Sequence, residues 1–192
     1  MTERLRAHNV SLADGALVLR PMTEDDWDIL FKWNSDREVL YFAGDDESWT
    51  LPAMQAMYRG VSERALTFVA ELDGVPAGEC WLQEMNLEEI LSRFPKETRL
   101  YRIDLMIGDK DLWGRGLGTR MIALLVRLGF ETQGADAVFG CGIADYNSRS
   151  MRAFEKNGFV LHEIRCEGPG KAAKKRYNLI LTRAAWQGRP SG

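Results

Sequence analysis

The sequence predicts an α/β domain, with α and β elements packed around a mixed sheet. Three observations predict it. An apolar run, Tyr101 to Ile107, leads through a glycine-rich turn into an amphipathic helix. Strand and helix patterns alternate after that turn, and a hairpin with the turn Asp73-Gly74 precedes it. With 192 residues the chain is long enough for one domain with a substantial core, expected to span 1–192 with the core at about 15–186.

The elements follow in order. Leu17 to Arg20 reads as a first strand. Thr23-Glu24-Asp25-Asp26 starts a helix whose inner face is Trp27, Leu30 and Phe31. A loop from Tyr41 to Ser48 leads to a second helix from Thr50 to about Tyr58. Thr67 to Glu71 and Gly78 to Leu82 form the hairpin. The polar stretch Glu84 to Thr98 carries a short helix around Leu87 to Phe94. Then come a strand (101–107), the glycine turn, a helix, a strand (136–141), a helix (147–157) and strands at 159–166 and about 175–182. The ends, up to about Asp14 and beyond Trp186, are expected to be disordered.

The helix after the turn is legible because Leu117, Met121, Leu124, Leu125 and Leu128 make one apolar stripe. The turn itself is Trp113-Gly114-Arg115-Gly116-Leu117-Gly118-Thr119. Three glycines there let backbone N–H groups converge on one concavity, and the helix N-terminus adds partial positive charge. Such a cradle suits a pyrophosphate; a tight connection that needs φ > 0 is the plainer alternative. A P-loop requires a Lys that is absent. A dinucleotide turn has the spacing G-x-G-x-x-G, and here it is G-x-G-x-G. Asp136, the acid such a fold would use on a ribose, precedes its strand instead of ending it.

A second block, Asn147-Ser148-Arg149-Ser150 followed by Phe154-Glu155-Lys156-Asn157-Gly158-Phe159, reads as a helix capped by Asn147 and stopped at Gly158. Together the two blocks resemble the GCN5-related N-acetyltransferase (GNAT) superfamily. Its coenzyme A turn is Gln/Arg-x-x-Gly-x-Gly/Ala, and its later block is Asn-x-x-Ser/Ala…Tyr-Glu-Lys-x-Gly-Phe. Trp113 departs from the usual Gln or Arg, and Phe154 from the usual Tyr. The resemblance implies a sheet whose central strands splay to admit the pantetheine arm of acetyl-CoA. It places Leu105, Met106 and Ile107 against that arm, with Trp113 to Thr119, Asn147 and Ser150 completing the cofactor site. It also implies direct attack by a primary amine on the thioester. Either the leaving thiolate needs no protonating residue or another group serves, Tyr146 being one candidate.

On the acceptor side the chain resembles aminoglycoside 6′-N-acetyltransferases from about Leu17 to Trp186. Arg102-Ile103-Asp104-Leu105 corresponds to their Gly-Ile-Asp-Gln, with Arg102 for Gly and Leu105 for Gln. Tyr41-Phe42-Ala43-Gly44-Asp45-Asp46 matches their aromatic and acidic loop. Asp104 is the candidate catalytic residue. It interrupts an apolar strand, where a carboxylate needs a partner or a task. It either pairs with Arg102, which shares its face, or binds and deprotonates the acceptor ammonium. Tyr41, Phe42, Asp45, Asp46, Trp49, Glu79 and Trp81 are candidate acceptor-binding residues, the acids forming an anionic rim. The same residues also read as a solvated face and as core aromatics.

Composition is that of an ordinary globular chain, 45% hydrophobic and 28% charged, with net charge −3. That argues against nucleic acid and is compatible with a small cationic amine. No signal core opens the chain and no run is long enough to span a bilayer, so a cytoplasmic, membrane-free protein is expected, as monomer or homodimer. Cys80, Cys141 and Cys166 lack metal or redox spacing and are expected to be reduced and mostly buried. With only His8 and His162, no metal site is expected. Three alternatives stand beside the aminoglycoside-like acceptor: a peptide N-terminus, the lysine-type amine of a siderophore precursor, and a non-catalytic acyl-CoA-binding module.

Overall fold

The computed structural model describes residues 4–44, 49–168 and 173–189. Within them, eight strands form one mixed sheet: β1 (Leu12–Asp14), β2 (Leu17–Pro21), β3 (Ala65–Leu72), β4 (Val75–Glu84), β5 (Leu100–Ile107), β6 (Ala137–Ala144), β7 (Val160–Cys166) and β8 (Lys175–Thr182). Their spatial order is β1-β2-β3-β4-β5-β6-β8-β7. Every neighbouring pair is antiparallel except β5 and β6. The hairpin turns where expected, with Asp73 at φ 53° and Gly74 at φ 77°, the left-handed pair that a two-residue turn requires.

The parallel β5–β6 ladder runs only from Leu100↔Ala137 to Ile103↔Gly140. Beyond it β6 bulges between Gly140 and Ile143 while β5 continues to Ile107. Residues 104–107 therefore keep β4 on one side and face an opening on the other. This is the expected splay. Gly140 makes it tight, because a Cβ there would come within 2.6 Å of the Phe154 ring.

Helices cover both faces. On one, α5 (Leu117–Arg127) presents Met121, Ile122, Leu124 and Leu125 to Cys80, Leu82 and Ile103, and α6 (Ser148–Lys156) adds Phe154. On the other, α1 (Trp27–Trp33), α2 (Arg37–Ala43) and α3 (Leu51–Ser62) pack Leu30, Val39, Met54 and Tyr58 against Val69 and Met106. The short α4 (Glu88–Leu91) covers the same face further along, with Ile90 on Leu100 and Phe139. The chain closes with α7 (Arg183–Gln187), capped by Thr182.

Two expectations are corrected. The segment before Asp14 has structure: Leu12–Asp14 is a strand, Arg6 N donates to Ser62 Oγ (2.9 Å), and His8 Nε2 meets the Thr67 carbonyl (2.8 Å). Tyr41 to Ala43 is helix and not loop. Asp36 caps its first turn by accepting from the Glu38 and Val39 N–H groups, and left-handed Gly44 (φ 91°) ends it. Local caps thus build a helix over residues expected to be a loop.

Candidate functional site

The glycine turn and the splayed end of β5 open onto one pocket. Leu105, Met106 and Ile107 form one wall; Trp113, Gly114, Gly116, Leu117, Gly118 and Thr119 form the rim. Gly114 (φ 76°) and Gly116 (φ 82°) are left-handed, and a Cβ on either would meet no heavy atom within 4 Å, so their surroundings are open. Gly116 ends the turn as the N-cap of α5, whose first intrahelical acceptor serves Arg120 N (3.2 Å). The N–H groups of residues 117–119 therefore face outward at the positive end of an apolar helix, as an anion cradle requires. Trp113, at the unusual position, is held by its indole N–H, which donates to the Ile107 carbonyl (2.8 Å) and ties the turn to the end of β5.

The helix α6 supplies the opposite wall through Asn147, Ser150, Arg149, Arg152, Ala153 and Lys156. The cations were not anticipated, although Arg149, Arg152 and Lys156 recur at helical spacing and so share a face. The Arg149 guanidinium lies 4.2 Å from the Phe42 ring centroid and 4.3 Å from that of Trp113. Val39, Phe42 and Ala43 of α2 and Ile122 of α5 complete the lining. Arg115, expected among the cofactor residues, is absent from it.

The Asn147 side chain is engaged at both ends. Its Oδ1 caps α6 by accepting from Ser150 N (3.1 Å), and its Nδ2 donates to the Phe42 carbonyl (2.7 Å). Asn147 lies on the pocket as expected, with both polar ends of its side chain bonded within the protein. Tyr146 likewise donates its hydroxyl to the Tyr41 carbonyl (2.8 Å) and stacks on the Tyr41 ring at 4.2 Å. It clamps α2 instead of standing ready as an acid. Phe154 is buried against Phe159 and Gly140.

Asp104 lies on the face of β5 opposite Ile103 and Leu105, between Arg102 and Met106. Arg102 grips it with two bonds, Nη2 to Oδ1 at 2.7 Å and Nε to Oδ2 at 2.8 Å. Trp81 Nε1, directly across the ladder, adds a third to Oδ2 at 3.1 Å. Burial works against the charge on Arg102, but the Asp104 carboxylate outweighs it and raises the guanidinium above its usual value. Of the two alternatives open for Asp104, the ion pair with Arg102 is present, with both side chains part-exposed.

The acceptor candidates divide. Phe42 lines the pocket, and Trp81 serves Asp104. Tyr41 is exposed against Tyr146; Trp49 is half-buried against the core under α1 and α3. Asp45, Asp46 and Glu47 lie outside the described residues. Glu79 is not a rim residue: it is 4% exposed, with Oε2 lacking a partner. Burial, reinforced by the Asp104 charge and opposed by a hydrogen bond from Tyr58, drives its carboxyl well above the usual range. Strand alternation predicted its face but not the helix α3 that covers it.

Among the cysteines, Cys80 is buried and Cys141 half-buried, its thiol pushed up to about 12 by burial. Cys166 is exposed, on the outermost strand where only β8 flanks it, which corrects the expectation for that residue. Among the described residues no helix is long and apolar enough to cross a membrane.

Residues 16–160 match the family model of the acetyltransferase (GNAT) domain. The chain belongs to the GNAT acetyltransferase family. This GNAT enzyme is 26% identical over 165 residues to aminoglycoside N(6′)-acetyltransferase type 1 from Klebsiella pneumoniae, covering 78% of the chain and 77% of that protein. The Serratia marcescens protein of the same name matches equally. In three dimensions the GNAT fold superposes on AAC(6′)-Ib solved with ribostamycin and coenzyme A at a TM-score of 0.77 and 23% identity, over 92% of this chain and 98% of that one. The Vibrio cholerae spermidine N-acetyltransferase, solved with coenzyme A and spermine, gives 0.74 at 14% identity, over 91% and 99%.

Proposed function

We propose that this GNAT enzyme transfers an acetyl group from acetyl-CoA to a primary amine of a cationic small molecule, an aminoglycoside of the 6′ type being the acceptor class favoured. One observation carries the donor assignment. An open, doubly left-handed glycine turn at the N-terminus of α5 adjoins the unpaired side of β5, and both lie on one pocket with Arg149, Arg152 and Lys156. That combination fits a ligand with a phosphate-bearing head and an extended amide arm. Residues 116–119 and the α6 cations would hold the head, and β5 residues 105–107 the arm.

Bound acetyl-CoA supplies a thioester carbonyl as the electrophile. The rest falls to the chain. Asp104 orients the acceptor by its ammonium and takes the proton that must leave before the nitrogen can attack, directly or through water. As the N–C bond forms and the C–S bond breaks, the nitrogen sheds its second proton to solvent and the sulfur leaves as thiolate, to be protonated from solvent. Phe154 cannot give a proton, and the Tyr146 hydroxyl is committed to Tyr41. The acceptor class rests on the aminoglycoside-modifying relatives, which match more than three quarters of the chain.

The test is thiol release from acetyl-CoA with kanamycin, tobramycin, spermidine, a neutral sugar, and short peptides with free N-termini. Rapid turnover confined to the aminoglycosides is the expected result. Turnover confined to peptides would replace the acceptor class, and coenzyme A binding without turnover on any amine would overturn the reaction.

A further inference from the structure

The acceptor face carries a feature that acetyl transfer does not explain: the carboxylate best placed to receive an ammonium is already bound by a cation of the same strand. A carboxylate has about four lone-pair positions. At Asp104 three are taken, two by Arg102 (2.7 and 2.8 Å) and one by Trp81 (3.1 Å). Both Arg102 bonds come from one planar guanidinium in the bidentate arrangement that favours Arg over Lys. The third nitrogen, Nη1, donates to Asn86 Oδ1 (3.3 Å), so the side chain is anchored beyond Asp104 as well. One position, on Oδ1, remains. The neighbouring acid Glu79 is buried, and that burial drives its carboxyl above the usual range.

We infer that Arg102 is a specificity-determining residue: it is a built-in cation that competes with the acceptor ammonium for Asp104. The inference rests on the reading of Asp104 as the acceptor-binding carboxylate. An incoming amine must either share Asp104 through the remaining Oδ1 position or displace the guanidinium from it. Arg102 therefore weakens the hold on cationic acceptors and favours those that orient themselves by other contacts, such as packing on aromatic rings. The side chains of the pair are only 18% and 23% exposed, so water screens this competition less than it would at an open surface.

The competition is measured by calorimetric titration of tobramycin into wild type, Arg102→Ala, Arg102→Gln, Asp104→Asn and the Arg102→Ala/Asp104→Asn double variant. Arg102→Ala is expected to tighten tobramycin about tenfold, roughly the factor of one charge-assisted hydrogen bond. Arg102→Gln keeps length and one hydrogen bond without the charge, and shifts affinity the same way. It also serves if the Ala variant folds poorly. In the Asp104→Asn background, removing Arg102 should change little, since the two residues act as a unit. Unchanged or weaker binding in both Arg102 variants overturns the inference. So does equal tightening in the Asp104→Asn background, which would reduce the effect to overall charge. The acetyltransfer reading fails separately, through absence of thiol release in wild type, whatever the titrations show.

Discussion

Replacing Gly116 separates the cost to the fold from the cost to the cofactor site. Gly116 has φ 82° and ψ 1°, a conformation that costs an L-residue about 1–2 kcal/mol. An added Cβ would meet no heavy atom within 4 Å, so no packing penalty is added to that strain. For a chain of this size about 1 kcal/mol corresponds to roughly 2–4 °C in Tm. Gly116→Ala should therefore melt about 2–8 °C lower and remain folded. The same methyl intrudes where the N–H groups of the α5 first turn would receive a pyrophosphate. Losing one charge-assisted bond there costs roughly 1.5–3 kcal/mol, or about tenfold or more in affinity. Gly116→Val adds the stiffness of a β-branched residue and should abolish measurable binding. The assay is calorimetric titration with coenzyme A beside a thermal melt. Gly140→Ala is the control. Its Cβ would press on the Phe154 ring at 2.6 Å, an overpacking of about 1–3 kcal/mol, away from the pocket lining. It should lower Tm while keeping coenzyme A affinity. Unchanged affinity in Gly116→Val refutes the cradle. An equal loss in Gly140→Ala would mean that the readout reports stability alone.

Three further outcomes are expected. Asp104→Asn should lower turnover at neutral pH by about tenfold or more while acetyl-CoA affinity is kept, as for loss of a proton acceptor; steady-state kinetics showing full turnover would leave the residue only its structural pairing. Arg152→Ala should weaken coenzyme A and flatten the salt dependence of its binding, because Arg152 lines the pocket; a titration series over ionic strength reads both. Glu79→Gln should remove a pH dependence of stability. Burial and the Asp104 charge raise the Glu79 carboxyl in the folded state, so above the unfolded value of about 4.3 the unfolded chain loses a proton that the folded one keeps. Stability then falls with rising pH by up to about 1.4 kcal/mol per unit until the folded value is passed. Urea denaturation across about pH 5 to 8 should show the variant gaining on wild type as pH rises; parallel curves would mean that Glu79 is charged in both states.

The parts of the molecule governed by short-range rules were readable in the chain. Asp73-Gly74 implies its hairpin because two left-handed residues close a tight turn. The stripe from Leu117 to Leu128 implies α5, and Asn147 and Gly158 bracket α6. The family resemblance, not these rules, placed Leu105 to Ile107 and Trp113 to Thr119 at the pocket, and all but Arg115 line it. The same rules, applied to Asp36 and Gly44, would have shown that α2 is a helix; the polar sequence around it obscured the signal. The α6 cations were equally within reach, since Arg149, Arg152 and Lys156 lie on one helical face.

What only the tertiary structure decided are pairings between residues remote in sequence, or between neighbours with a choice of partners. Tyr146 meets Tyr41, and Asn147 meets Phe42, because the sheet brings the start of α6 against the end of α2. Glu79 alternates onto the same face as Trp81 as the sequence implies, yet whether that face is wet depends on α3 lying across it. Asp104 and Arg102 share a face by strand alternation alone. Whether they bond to each other or to a ligand is a competition among all the charges that folding brings near, and the folded chain puts the guanidinium on the carboxylate. Periodicity and caps act over a few residues, so most of the elements and the glycine turn are legible in the sequence by itself. Burial and partner choice depend on how those elements stack, and so belong to the structure.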